Sequence, residues 1–307
     1  MLDATRSALA DPWLAAWAAE IPQIIEGLSN AFRAGRLTEP VVHKSRRELK
    51  KLRSLLRLAP ASATDFADET REITGELRRR LGQTRDATVM LKTLSSLSGD
   101  LGEAATRIKP VLSAHHRIAA AALHRGSRRG DRDRIVRLGA IWRRRPTAGD
   151  VADLRRQAAK TYRRARKRAT ALRHGKEAAL HPLRKAVVDH QNHLAFFAGA
   201  DKGKIATRHK KVRRLRDQLG LCNDLEVLRD FVRTRADISG GDLIKLEEVL
   251  AKRHRLLVGK AVKLSATLFD DKPRGFAKLL RLETGKARDK PRSTDTDAGE
   301  RPAGLEQ

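Results

Sequence analysis

His43, Arg46, Lys50, Arg53 and Arg57 follow one another at steps of three, four, three and four residues. Wound as an α-helix, the four cations after His43 fall within about 80° of arc, and the histidine heads the same stripe. Val42, Leu49, Leu52, Leu55 and Leu56 gather on the opposite side as an apolar seam. At the helical rise, His43 to Arg57 spans roughly 21 Å. This is a ladder of hydrogen-bond donors rather than a point-like site, and it suits a long anion.

The ladder recurs. His181-Pro182-Leu183-Arg184-Lys185 repeats the His-x-x-Arg pattern 138 residues further on. Leu77-Arg78-x-x-Leu81-Gly82-x-x-Arg85-Asp86-x-x-Val89 is matched by Leu215-Arg216-x-x-Leu219-Gly220-x-x-Asn223-Asp224-x-x-Val227. His43 to Asp86 and His181 to Asp224 are both 43 residues apart. Two motifs in one ungapped register imply an internal duplication, with repeats of about 5–145 and 146–283. The second copy departs from the first. Val188 and Gln191 stand where Lys50 and Arg53 would recur, and Pro182 restricts His181 to an extended or first-turn conformation.

The elements that must hold these ladders all read as helices. Asp11 and Pro12 open one that carries Trp13, Leu14, Trp17, Ile21, Ile24, Ile25 and Leu28 at helical spacing, ending near Gly35. Its tryptophans read as core anchors. Thr38 is a cap for the first ladder helix, with Pro40 in its first turn. A continuous helix is expected from about Asp65 to Leu97, with Arg71, Arg78, Arg85 and Lys92 seven apart on one stripe. Gly82 and Gly220 suggest a packing or kink role in both halves. Asp86 and Asp224 read as carboxylates that orient neighbouring cations, because a carboxylate among cations stays ionised and pairs.

A further helix is expected over Leu101 to Leu123; its adjacent His115 and His116 point about 100° apart and do not share a metal. Residues 125–173 hold 18 basic and 4 acidic side chains. Breaks at Ser127-Arg128-Arg129-Gly130 and Arg145-Pro146-Thr147 divide this region into two helices, the second near Asp150 to Arg173. Its Tyr162–Arg168 cluster wraps the helix, and reads equally as a phosphate-contacting wall or a solvated basic surface. Gly175 ends it. His190 and His193 lie off the second ladder's stripe. A Gly240-Gly241 turn precedes helices at Asp242 to Leu268 and Phe276 to Leu282. From Thr284 the chain is polar, and residues 284–307 are expected to be disordered. Alternating β-branched runs and Asn-Gly hairpins are missing, so the fold class is all-α.

The 307 residues carry 66 Lys and Arg against 37 Asp and Glu, a formal charge of +29. A surplus that large repels itself and calls for a polyanionic partner. Cys222 is the one cysteine, so neither an internal disulfide nor a cysteine metal cluster is available, which fits a reducing compartment. No apolar run approaches membrane-span length, and the first residues lack a signal-peptide pattern. A cytoplasmic protein is expected.

The paired His-x-x-Arg helices and the paired Leu-Gly-x-x-(Arg/Asn)-Asp-x-x-Val segments resemble the CHAD family, the conserved histidine α-helical domain, over residues 5–283. That resemblance implies two pseudo-symmetric helical bundles around a basic central groove or pore. It implies binding of inorganic polyphosphate and association with polyphosphate granules, without cofactor or metal. The contacts it implies are His43, Arg46, Lys50, Arg53, Arg57, Arg78 and Arg85 from the first half, and His181, Arg184, Lys185 and Arg216 from the second. Many such domains are fused to a triphosphate-hydrolysing tunnel domain. Its Glu-x-Glu-x-Lys strand is absent from this sequence, so a binding protein and not an enzyme is expected.

The chemistry agrees with that ligand. Polyphosphate offers a charge at each phosphate and no bases, so it needs spaced cations and no aromatic platforms. Arginine reaches phosphate oxygens bidentately and lysine adds point charge. The competing reading is a nucleic-acid or general polyanion binder. Against it, aromatics are 4% of the chain, whereas single-strand binding uses stacking. No helix-turn-helix, zinc-finger or RNA-recognition signature is present. Phosphoryl transfer would need a metal-binding carboxylate set or a phosphate loop, and Gly-x-x-x-x-Gly-Lys-Ser/Thr does not occur.

Overall fold

The apolar spacings become buried helix faces. The computed structural model describes residues 11–33, 37–125, 128–144, 149–198, 203–235 and 237–286, and these contain helices and no strand. In α1 (Pro12–Arg33) every residue of the expected apolar series is buried. The Asp11 carboxylate accepts from the backbone N–H groups of Trp13 (2.8 Å) and Leu14 (3.3 Å), as an N-cap should. The tryptophans anchor the core and also stitch elements together. The Trp17 indole donates to the Leu55 carbonyl at 2.9 Å, and Trp142 donates to the Thr70 hydroxyl at 2.9 Å.

The first ladder helix is α2 (Glu39–Leu55), with Val42, Leu49, Leu52 and Leu55 buried. Thr38 takes the cap position, but its side chain makes no capping bond. The end of the ladder tightens into a 3-10 turn, Leu56–Leu58, so Arg57 leaves the line of the α-helix.

The segment read as one helix from Asp65 to Leu97 is two, α3 (Thr64–Arg80) and α4 (Gly82–Ser96), broken at Leu81. One contact beside the break comes from outside the segment. The Arg46 guanidinium donates to the Arg78 carbonyl at 3.2 Å, and a foreign donor inside the backbone ladder is a recognised source of kinks. Among the described residues the second half shows no such donor at this place. Its equivalent, α10 (Lys204–Arg233), runs unbroken through Gly220, where an added Cβ would meet nothing within 4 Å. The kink or packing role read for Gly220 is therefore not realised.

After α5 (Ser98–Leu101), Gly102 turns the chain with φ +58°, and α6 (Glu103–Arg125) follows. Arg128, Arg129 and Gly130 lie inside α7 (Arg128–Arg143) and do not break it. Residues 34–36, which include the expected end at Gly35, and Ser127, Arg145, Pro146 and Thr147 lie outside the described residues. Asp150 caps α8 (Val151–Arg173), accepting from Ala152 at 2.9 Å, and Gly175 adopts φ +75° past its end.

The second ladder is α9 (Leu180–Ala198), with His181 and Pro182 in its first turn. Gly240 and Gly241 are the first residues of α11 (Gly240–Leu268) and not a turn before it; the Ser239 hydroxyl caps it by accepting from Asp242 at 3.2 Å. The last helix, α12 (Pro273–Lys286), runs past the boundary read at Thr284. Thr284 is buried: its hydroxyl donates to the Leu280 carbonyl at 2.6 Å, and its own carbonyl accepts from the Trp13 indole at 3.2 Å. Residues 287–307 lie outside the described residues.

The helix order repeats. The series α1, α2, α3–α4, α6, α7 is answered by α8, α9, α10, α11, α12, roughly 138 residues later. The halves meet through corresponding helices, α2 on α9, α4 on α10 and α6 on α11. At the crossing of α2 and α9 the Asn192 amide donates to the Ser54 hydroxyl at 2.9 Å; the two residues are 138 apart. Ser54 donates in turn to Asp189 at 2.9 Å, and the neutral His193 ring donates to the Ser54 carbonyl at 2.7 Å. Burial drives the His193 pKa down to about 4. His190 is buried beside Tyr162 and Phe276.

Candidate functional site

Antiparallel packing of α2 on α3 and α4 sets the ladder arginines. Arg46 Nη1 donates to the Arg78 carbonyl at 3.2 Å, while Nη2 lies 3.6 Å from Asp86. One heptad on, Arg53 Nη1 donates to the Arg71 carbonyl at 3.4 Å. Each accepting carbonyl lies four residues before a glycine, Gly82 and Gly75. A helical side chain covers the turn N-terminal to its own Cα, so a missing Cβ at i+4 opens the carbonyl of i to an approaching guanidinium. An added Cβ at Gly82 would sit 3.3 Å from Arg46 Nη1, and one at Gly75 would sit 3.0 Å from Arg53 Nη1.

This geometry predicts opposite effects on stability and binding. Gly75→Ala relieves a helix-interior glycine, which favours the fold by about 1 kcal/mol. It also displaces Arg53 from a hydrogen bond of about 0.5–1.5 kcal/mol. Polyanion affinity should fall several-fold while the melting temperature holds or rises. A variant that binds as tightly as the parent would remove the positioning role.

Around the two arginines the cations converge. Lys50 is pushed down to about 8, first by burial, then by Arg184, Arg46, Arg78 and Arg85. Arg184, from the second ladder, lies largely buried between Asp224 and Asp86, which offset part of its burial cost. Burial raises the Asp224 carboxyl, and Arg184, Arg85 and Lys50 pull it back. At the head of the ladder, burial lowers His43, with Arg85, Arg47, Lys50 and Lys92 adding to it. At the foot, Arg53 and Arg71 are depressed by burial and by the nearby Arg57. The result is one continuous strip of mutually repelling cations drawn from both halves. It can bind an extended anion. Among the described residues no group of three or more His, Cys, Asp or Glu could hold a metal ion, and no helix is long and apolar enough to cross a membrane.

The sequence matches the family model of the CHAD domain over residues 5–233. The chain belongs to the CHAD family. Its fold is similar to a solved structure, the CHAD domain from the plant Ricinus communis, with 22% identity, a TM-score of 0.53, and coverage of 89% of this chain and 91% of that one. No curated protein matches the sequence.

Not all the residues expected to form the CHAD site come together. His43, Arg46, Lys50, Arg53, Arg78, Arg85 and Arg184 share one field. His181 and Lys185 are exposed and lie beside each other at the start of α9, where Lys185 and Arg184 add to the burial that lowers His181. Arg57 is turned to Asp189, 2.9 Å away. Arg216 is tied to Gln191 (3.3 Å) and Asp217 (2.9 Å). Arg71 and Arg164 also join the strip, each beside Arg57. The heptad spacing of Arg71 with Arg78 is the signal for the first; for the second it is the Tyr162–Arg168 cluster, one of whose two readings is a phosphate-contacting wall.

Proposed function

We propose that this CHAD chain binds inorganic polyphosphate along the strip that runs from His43 through Lys50 and Arg184 to Arg53. The observation that carries the reading is Lys50: a lysine held down to about 8 by burial first and then by four neighbouring cations marks a site organised for a dense line of negative charge. The aromatic side chains support a ligand without bases. Trp13, Trp17, Trp142, Tyr162, Phe196 and Phe276 are all buried and offer no stacking surface. On this reading the protein is a cytoplasmic binding protein of polyphosphate granules, and not an enzyme.

The test is direct binding of long-chain polyphosphate at near-physiological salt, with DNA and heparin added at equal charge. Retention of polyphosphate against excess DNA supports the proposal. Displacement at equal charge would make the strip a general polyanion surface. Affinity should also fall steeply with salt, since each neutralised phosphate releases a counterion.

A further inference from the structure

A second basic feature lies at the foot of the strip, where α8 packs across the 3-10 turn after α2. A cavity of about 350 Å³ is lined by Arg57, Arg71, Gln157, Lys160, Thr161, Arg163 and Arg164. This is near the lower end of the range for ligand pockets, about 300–1,000 Å³. Five of the seven side chains are cationic and none is aromatic, so a base finds no ring to stack on and an uncharged tail leaves the charges unpaired. The ligand class that fits is a bare phosphate anion.

The counterions are few. Asp189 takes Arg57, and Asp68 takes Arg71. Arg164 donates to the Thr161 hydroxyl at 3.0 Å, which holds both side chains in the lining. Lys160 and Arg163 are exposed and have no carboxylate partner among the described residues. The cavity is continuous with the strip, because Arg53 bonds to the carbonyl of Arg71, whose side chain lines the cavity.

Shape separates the two regions. The strip presents cations in a line, which matches internal phosphates with two free oxygens each. The cavity presents them from α3, α8 and the 3-10 turn around a concave space. A terminal phosphoryl group has three free oxygens and a second ionisation, near pKa 6 in phosphomonoesters, so it brings more charge and more acceptors to one point. Resting on the polyphosphate reading, we propose that this cavity is a chain-end pocket. It holds the terminal phosphoryl of a linear polyphosphate while the following phosphates run along the strip towards His43.

The experiment compares three probes on the intact protein: long-chain polyphosphate, the same chains with both ends blocked as phosphoramidates, and tripolyphosphate. Free-ended chains should bind about tenfold more tightly than blocked ones. Lys160→Gln with Arg163→Gln, both exposed, should abolish that ratio and weaken tripolyphosphate by a similar factor. Blocked chains should lose only two- to threefold. Equal binding of free and blocked chains by the parent protein overturns the chain-end pocket and leaves polyphosphate binding standing. An equal loss for both chain types in the double variant does the same. Failure of the parent to bind either chain overturns the functional reading itself.

Discussion

A protein carrying Arg46→Gln and Lys50→Gln should bind long-chain polyphosphate at least about a hundredfold more weakly than the parent, with its fold intact. A hydrogen bond to a charged group is worth about 1.5–3 kcal/mol, and each 1.4 kcal/mol is a factor of ten in affinity. Two such groups at the centre of the strip therefore account for at least two orders of magnitude. Stability moves differently. Lys50 is held against burial and the charges of Arg184, Arg46, Arg78 and Arg85, so neutralising it relieves the free protein. Losing the Arg46 contacts to Arg78 and Asp86 offsets that relief. Circular dichroism and melting should stay close to the parent. Unchanged affinity with a native spectrum would mean that the strip is not the site.

Proton uptake on binding should be the second large effect. Lys50 has a pKa of about 8 in the folded protein against an ordinary 10.5. An anion laid beside it favours the ammonium and raises that value, so binding above pH 8 draws a proton from solution. Affinity should then fall by up to about tenfold per pH unit from pH 8 upward, until the pKa of the bound state is reached. Folding has the opposite slope. Between pH 8 and 10.5 the unfolded chain holds the Lys50 proton and the folded chain does not, so this lysine makes stability rise with pH. Calorimetry at pH 8.5 in two buffers of different ionisation enthalpy reads the proton directly. Uptake should approach about three-quarters of a proton, since roughly a quarter of Lys50 is already protonated at that pH, and should drop in Lys50→Arg, whose charge does not titrate there. Equal uptake by parent and variant would assign the proton to another group.

The sequence made the helices legible because their burial is periodic. Trp13, Trp17, Ile21 and Leu28 on α1, and Val42, Leu49, Leu52 and Leu55 on α2, need no partner to reveal which face turns inward. The first ladder was legible for the same reason in reverse. What escaped depends on a partner distant in sequence. The break at Leu81 lies beside Arg46, whose guanidinium arrives from another helix. Gly75 reads as an ordinary helix glycine until Arg53 is seen against it. Thr284 looked like tail because its polarity is local, whereas its burial is fixed by Trp13 at the other end of the chain. Lys160, Arg163 and Arg164 wrap α8 and form no stripe; only the 3-10 turn carrying Arg57 and the side of α3 carrying Arg71 make them a cavity.

The Ser54–Asn192 contact also bears on the charge that the second ladder lacks. At that crossing one equivalent pair, Ser54 and Asn192, meets directly, and what stands there must tolerate its like. A hydroxyl and an amide do, since each both donates and accepts. Two cations face to face do not. Lys50, Arg53 and Arg57 lie within about a turn of that crossing, and their counterparts are Val188, Gln191 and Ala195, all neutral. Further out, Arg46 and Arg184 are both retained, with Asp86 and Asp224 beside them. Near the crossing, Arg53 and Arg57 of the first ladder meet a carboxylate of the second, Asp189, and not a second row of cations.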